Sequence, residues 1–447
     1  MFFLCNRMNR INVQILNLVA GLRSSAPLKN ISKLMTGEVL AQVVAFASIP
    51  ILTRLYGPRA FGVLGVFLAL SEIGAKISTL RYEIALVLPK EDRAAWALFR
   101  FSGAWCILAS LGVLLCAYPF RQWLSQSFGA EELSLYFPLI ALMILGIGWQ
   151  SLASFWSMRG KYFGVLAKSS AGSSVLGNGC KIVAGLLGCG VGGLLFGTVL
   201  QRWSNLILIR FISPRSIWKH ESRAGELVEQ AKIYSEFPKY RMPQDVLNSF
   251  TRQIPNVLLA SFFSPVAAGF YILANRIIGL PCSLLQEAVR KVFYLEAVEA
   301  KQTGNSLFRF CVRMTLIIAV GMLPVVFVVF AWGAVLSEVF FGAEWTTTGL
   351  YAKWVILAVF FSFCSVPASV VIPVLGWNRF YLIFEAVSMV LRISIIVGAA
   401  MLFTAHVMVA TIALATCASY LVLIGIVLSR LHGLDSEHLP KVNRVGE

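Results

Sequence analysis

The sequence predicts an all-α polytopic membrane protein with about twelve transmembrane helices in two six-helix bundles. Three observations predict it. Of 447 residues, 58% are hydrophobic and 13% charged, where a soluble chain carries roughly 25% charged residues. Apolar stretches of about 20 residues recur along the whole chain, each long enough to cross a bilayer core of roughly 30 Å as a helix. The alternating pattern of a membrane β-barrel is absent, and helices are then the way to satisfy the backbone without water.

The expected spans run near 36–55, 61–88, 95–118, 134–156, 163–187, 190–212, 243–262, 265–290, 308–331, 348–373, 379–403 and 406–429. The fifth and sixth nearly touch through "GLLGCGVGG", which suits a tight turn between close-packed helices. Residues 1–34 read as a retained basic segment, with the composition of an interfacial helix rather than a cleaved leader. Segment 213–242 is the longest polar stretch and is expected to be a cytoplasmic linker between bundles at 35–212 and 243–430, with 431–447 as a tail.

Loop charge sets the orientation. Arg7, Arg10, Arg23, Lys29 and Lys33, the stretch Arg81 to Arg93, Arg159, Lys161, segment 210–241, Arg290 to Lys301, Arg379, Lys441 and Arg444 fall on one side. The other side contributes Arg54, Arg59 and Arg121. The positive-inside rule then places both termini in the cytoplasm. It also accounts for the formal charge of +17 without nucleic acid, which would call for a soluble basic face. The nine cysteines include no C-x-x-C pair and read as small buried hydrophobes, without disulfide or metal. No cofactor is expected.

A short internal echo supports two halves. "IPILTRLYGPRAFG" (49–62) and "IPNVLLASFFSPVAAG" (254–269) share Ile-Pro and then Pro-x-Ala-x-Gly, with a two-residue slip. Six spans per half preserve orientation, so the halves would be related by an axis along the membrane normal. Pro50 and Pro255 are expected to break corresponding helices near a midplane site.

Ionisable residues inside spans are costly and usually face a bundle interior or a wet cavity. Span seven carries Gln244, Asn248, Arg252 and Asn256 at four-residue spacing, one polar stripe. Span eight carries Arg276, Ser283, Glu287 and Arg290 on one face, and span two carries Glu72, Lys76, Thr79 and Glu83. Span five shows Ser170, Ser174, Asn178 and Lys181; span six holds Arg202; span eleven shows Glu385, Ser388 and Arg392. Spans nine and twelve are nearly free of mid-span charge and are placed against lipid. Glu72 with Lys76, and Glu385 with Arg392, read equally as structural glue or as coupling and gating groups. Arg252 and Arg276 have no acid three or four residues away. Cations of this kind converging on a cavity would receive an anionic head group, with Arg suited to phosphate oxygens. Glu38, one turn from Gln42, is a candidate coupling acid.

The pattern from Phe61 to Leu88 reads as one unbroken helix ended by Pro89. At 1.5 Å per residue it spans about 42 Å, more than the hydrocarbon needs. Arg81 and Glu83 are therefore expected on its cytoplasmic extension, at the mouth of the polar path, with 90–93 as a solvated turn.

The stretches "GEVLAQVVAFASIPILTRLYGPRAFGVLGVFLALSEIGAKISTLRYEIALVLPKEDRAA" and "FPKYRMPQDVLNSFTRQIPNVLLASFFSPVAAGFYILANRIIGLPCSLLQEAVRKVF" resemble bacterial Wzx-type polysaccharide flippases. These belong to the multidrug/oligosaccharidyl-lipid/polysaccharide exporter superfamily, and the resemblance extends over about residues 31–425. It implies two six-helix bundles around a central cavity and alternating access. It also implies translocation of undecaprenyl-pyrophosphate-linked oligosaccharide from the cytoplasmic to the periplasmic leaflet of the bacterial inner membrane, for O-antigen, capsule or exopolysaccharide. The partners implied are that lipid-linked oligosaccharide, membrane lipids, and polysaccharide polymerase and chain-length machinery. Arg54, Arg81 and Arg276 match loosely the cavity arginines of similar lipid II flippases, with Arg54 at the periplasmic end of span one. Asn and Gln along spans five and seven suit sugar hydroxyls, and Trp149, Trp156 and Tyr271 are candidate stacking rings, with interfacial or packing roles as the alternative.

Two other classes fit less well. A drug or organic-cation exporter calls for an acidic cavity. A membrane polymerase or ligase calls for catalytic groups on a sizeable periplasmic loop, and 119–133 and 332–347 contain no His. The four His show no H-E-x-x-H or Ser-His-Asp arrangement.

Overall fold

The computed structural model describes residues 26–214, 218, 224–303 and 306–437, and all regular structure among them is helical. Residues 1–25 of the expected basic segment 1–34 and the last residues, 438–447, lie outside the described residues, whereas 26–34 are helical and continuous with the first span. Twelve long helices match the expected spans: α1 Ala26–Leu55, α2 Pro58–Ser78, α3 Asp92–Ala117, α4 Phe137–Arg159, α5 Phe163–Leu186 and α6 Gly190–Ile212 come first. Then follow α7 Met242–Phe262, α8 Pro265–Gln302, α9 Leu307–Phe341, α10 Thr346–Cys364, α11 Asn378–Leu402 and α12 Ala405–Glu437. Nine helical stretches among the described residues are long and apolar enough to cross a membrane. The chain is a multi-pass membrane protein. The three long helices outside that set are α5, α6 and α7, which carry Lys181, Arg202 and the amide stripe of α7.

The described residues form two compact units, one of 26–55, 70–122 and 133–250, the other of 56–69, 123–132 and 251–437. In the first unit α5 packs on α1 and α6, α6 on α4, and α4 on α3. The expected tight turn between α5 and α6 is present, with Gly188 at φ 72° and Gly190 at φ 54°, values that glycine adopts without the Cβ penalty. In the second unit α10 packs against α8, α9 and α12, and α11 against α12. The α9 surface is apolar and outward, with Leu316, Val320, Leu323 and Phe327 exposed, as expected of a lipid-facing span.

The internal echo has a structural meaning inside the second unit. Pro58 to Gly62 opens α2, Pro265 to Gly269 opens α8, and the two openings pack on each other reciprocally. A Cβ on Gly62 would lie 1.7 Å from the Pro265 carbonyl oxygen, and one on Gly269 would lie 1.9 Å from the Pro58 oxygen. Each glycine is thus held against the proline carbonyl of the other copy, a close backbone approach of the kind small residues permit between membrane helices.

Four expectations need correction. The run from 61 to 88 is not one helix: α2 ends at Ser78, Leu80 and Arg81 take positive φ of 50° and 60°, and a short helix covers Tyr82–Ala85. Pro50 and Pro255 do not break α1 and α7, which continue through them; each proline removes one backbone bond, which a membrane helix tolerates. The tenth span is interrupted at Ser365 before a second segment, Val366–Val374. Finally, the polar segment after α6 is no simple linker, because helix Ala224–Ile233 packs on α3 and a π-turn at Phe237–Arg241 leads into α7.

Candidate functional site

In the first unit the break after α2 is built from both sides. Leu80 and Arg81 sit in the left-handed region, which costs an L-residue roughly 1–2 kcal/mol each. Tertiary contacts hold them there. The Tyr82 hydroxyl donates to the Ala231 carbonyl at 2.9 Å. Tyr82 joins a core with Leu86, Leu98, Phe99, Trp156 and Ala231, against which Trp218, Tyr234 and Phe237 pack. Arg93 pairs with Glu226 and fastens the same helix.

That fastening places Arg81 between two carboxylates. Its Nη1 donates to Glu83 Oε1 and its Nε to Asp245 Oδ2, both at 2.7 Å, and Arg241 Nε reaches the same Asp245 oxygen at 3.1 Å. The Glu83 side chain is 1% exposed, and its Oε2 finds no partner among the described residues. Lys76 lies within electrostatic reach of Arg81, Glu83, Glu72 and Asp245. The cluster therefore sets Lys76, Arg81 and Arg241 against Glu72, Glu83 and Asp245. Arg81 would meet an incoming anion only by exchanging a carboxylate.

On α5 and α6 amide groups hold the cations, and Arg202 also lies within electrostatic reach of Glu72. Lys181 is 5% exposed, and its ammonium donates to Gln201 Oε1 at 2.9 Å and Asn178 Oδ1 at 3.4 Å. Asn178 is anchored to the Ser174 carbonyl at 2.9 Å, and the Ser174 hydroxyl donates to Ala41 on α1 at 2.7 Å. Arg202 Nη1 reaches Gln150 Oε1 of α4 at 3.3 Å. Amide oxygens orient a cation without carrying a charge that cancels it. Glu38, the candidate coupling acid, is exposed on α1.

The second unit holds Arg252, Asn256, Arg276, Glu385 and Arg392. Arg252 is exposed on α7 and forms no hydrogen bond or ion pair with the described residues, whereas Arg276 is half-buried on α8. Asn256 donates to Gln253 Oε1 at 2.9 Å while its own Oδ1 is buried and unsatisfied among the described residues; Asn248, on the first unit's part of α7, is exposed. Glu385 and Arg392 pair at 3.1 Å along α11. Arg54 is exposed in the last turn of α1. Trp156 is not a free stacking ring: it is 4% exposed in the first unit's core, where Trp149 packs on Phe99 at 5.9 Å. Sequence reading missed Asp245 and Arg241, which lie 164 and 160 residues from Arg81 and carry no local signal.

The chain matches the polysaccharide biosynthesis protein family over residues 51–349, and it belongs to that family. Among curated proteins it is 25% identical over 306 residues to the succinoglycan biosynthesis transport protein ExoT of Rhizobium meliloti (strain 1021), over 67% of this chain. The match spans 59% of that relative's length. Among solved structures it resembles an inward-facing multidrug resistance MATE family transporter of the MOP superfamily, with TM-score 0.65 and 15% identity over 92% of this chain and 99% of that one. It also resembles the lipid II flippase MurJ in an inward closed conformation, with TM-score 0.64 and 14% identity over 88% and 87% of the two chains. At these identities the two structures establish the fold.

Proposed function

We propose that this protein is a flippase that carries polyprenyl-pyrophosphate-linked oligosaccharide, with undecaprenyl as the lipid, from the cytoplasmic to the periplasmic leaflet of a bacterial inner membrane by alternating access. Family membership and the succinoglycan transport relative support a glycan cargo. The observation that carries the reading is the positive charge kept inside membrane-length helices. Lys181 and Arg202 are oriented by amides, and α8 adds the half-buried Arg276.

Such charge is costly in a bilayer unless it faces water or an anion. A pyrophosphate cannot cross hydrocarbon bare, while its polyprenyl chain remains in lipid and its sugars need hydrogen-bonding groups. Asn178, Gln201, Asn248 and Asn256 supply groups of that kind. Polysaccharide polymerase and chain-length machinery would then receive the product on the far side, and both termini would lie in the cytoplasm.

An exporter of organic cations shares the fold, so charge decides between the two readings. The direct test is flipping in reconstituted vesicles loaded with labelled polyprenyl-pyrophosphate oligosaccharide and scored by a sugar-binding lectin. Wild type should expose glycan. Arg252→Ala and Arg276→Ala should fail while folded, and Arg276→Lys shows whether charge alone suffices. Extrusion of an organic cation down an ion gradient, with no glycan movement, would replace this reading with the exporter.

A further inference from the structure

The second unit has an open pocket of about 230 Å³ between α8, α10 and α12. Its polar wall is Tyr271, Asn275, Ser362, Thr416 and Tyr420, and Val355, Ile412 and Ala413 are part of its apolar wall. No charged residue lines it. A phosphate or pyrophosphate would find no cation there, and an organic cation would find no carboxylate.

We propose that this cavity is a subsite for one neutral sugar ring of the cargo. It deepens the glycan-lipid reading and rests on it for the source of the sugar. The size supports a ring: an apolar cavity of about 150 Å³ already admits benzene, and this one is larger and carries hydrogen-bonding groups. The wall has the mixed character that sugar hydroxyls need. Thr416 donates to the Ile412 carbonyl at 2.8 Å and keeps lone pairs to accept. Ser362 Oγ accepts from Gln286 at 2.9 Å, which turns its own O–H elsewhere. Asn275 is steadied by a 3.0 Å bond to the Tyr271 carbonyl, one helical turn earlier. Tyr271 and Tyr420 both line the pocket, and an aromatic ring is a surface on which the C–H side of a pyranose can stack. Val355 and Ile412 are buried, so the apolar wall is fixed by packing.

The Tyr271 position was a candidate stacking residue from sequence. Asn275, Ser362, Thr416 and Tyr420 come from three separate helices, and the fold alone brings them together.

The test uses the full chain in nanodiscs free of glucoside detergents, with methyl β-D-glucopyranoside and methyl β-D-galactopyranoside as probes in saturation-transfer NMR. Wild type should transfer saturation to the ring protons of at least one probe. Thr416→Val, which preserves shape, should weaken that probe about fivefold, the value of one hydrogen bond. Ala413→Phe, which fills the cavity, should abolish the signal. Inorganic pyrophosphate should displace neither probe.

No transfer from wild type would mean that the cavity holds only water, and would overturn the proposal. Unchanged transfer in Thr416→Val, or displacement by pyrophosphate, would overturn it as well. The vesicle assay separates the two readings. Glycoside binding without flipping leaves the cavity and removes the flippase; flipping with no glycoside binding removes the cavity alone.

Discussion

The reciprocal contact between the two Pro-x-Ala-x-Gly copies makes a measurable claim about alanine. At Gly62 the added methyl falls short of a tolerable 3.0 Å from the Pro265 oxygen by 1.3 Å (3.0 minus 1.7), and at Gly269 by 1.1 Å (3.0 minus 1.9). The obstacle is backbone in both cases, so the openings of α2 and α8 must separate. Overpacking of this kind costs about 1–3 kcal/mol, and helix propensity returns about 1 kcal/mol when glycine becomes alanine. A net loss of up to about 2 kcal/mol is expected for either variant. Gly279→Ala on α8, whose Cβ would meet nothing within 4 Å, is the control and should be neutral or slightly stabilised. The double variant should lose less than the sum, since one separation makes room for both methyls. Equilibrium unfolding in mixed micelles with rising dodecyl sulphate measures all four. Gly62→Ala as stable as Gly279→Ala, or strict additivity in the double variant, would refute the reciprocal contact.

Three further outcomes follow from named contacts. Arg81→Ala should destabilise by about 3–5 kcal/mol, because it leaves Glu83 buried without its cation; Arg81→Gly should recover about 1–2 kcal/mol of that, since glycine tolerates the left-handed backbone. Thermal unfolding at a fixed scan rate ranks the two, and equal stability would show that residue 81 is not strained. Lys181→Met should leave stability unchanged or raised while lectin-scored flipping falls at least tenfold; if stability and flipping fall together, Lys181 is structural. Tyr82→Phe removes the bond to Ala231 and should cost about 1 kcal/mol, read as faster amide exchange in helix 224–233 with α5 unaffected.

Much of the fold was legible because apolar runs of membrane length depend only on local sequence. The spans, the Gly188–Gly190 turn and the pair Glu385–Arg392 are all written within a few turns of chain. The polar helices were legible too, since Lys181 with Asn178, and Gln244 with Asn248, recur at helical spacing. Partners set by packing were not. Gln201 and Gln150 orient two cations from neighbouring helices, and no spacing in the sequence announces them. Trp156 shows the same limit in reverse: as an aromatic it reads as a stacking or a packing ring, and Trp96, Phe99 and Leu152 decide for packing by enclosing it.

The stretch "ISTLRYEIALVLP" shows why the largest error fell where it did. It holds no glycine, and its proline comes only after Leu88, so nothing local argues against a helix through Leu80 and Arg81. Two left-handed residues there cost about 2–4 kcal/mol by intrinsic preference. The segment accepts that cost because its contacts lie far along the chain, Ala231 at Tyr82 and Asp245 at Arg81. Both partners belong to the polar stretch that sequence read as a linker and to the first turn of α7. A strained, ion-paired joint between a membrane helix and a docked segment is costly unless it is needed in two arrangements or holds one firmly. The Arg81→Gly comparison separates these. If glycine is more stable than alanine yet slows flipping as much, the joint acts through its charges; if flipping is unchanged, the strain is only the geometry left by docking helix 224–233.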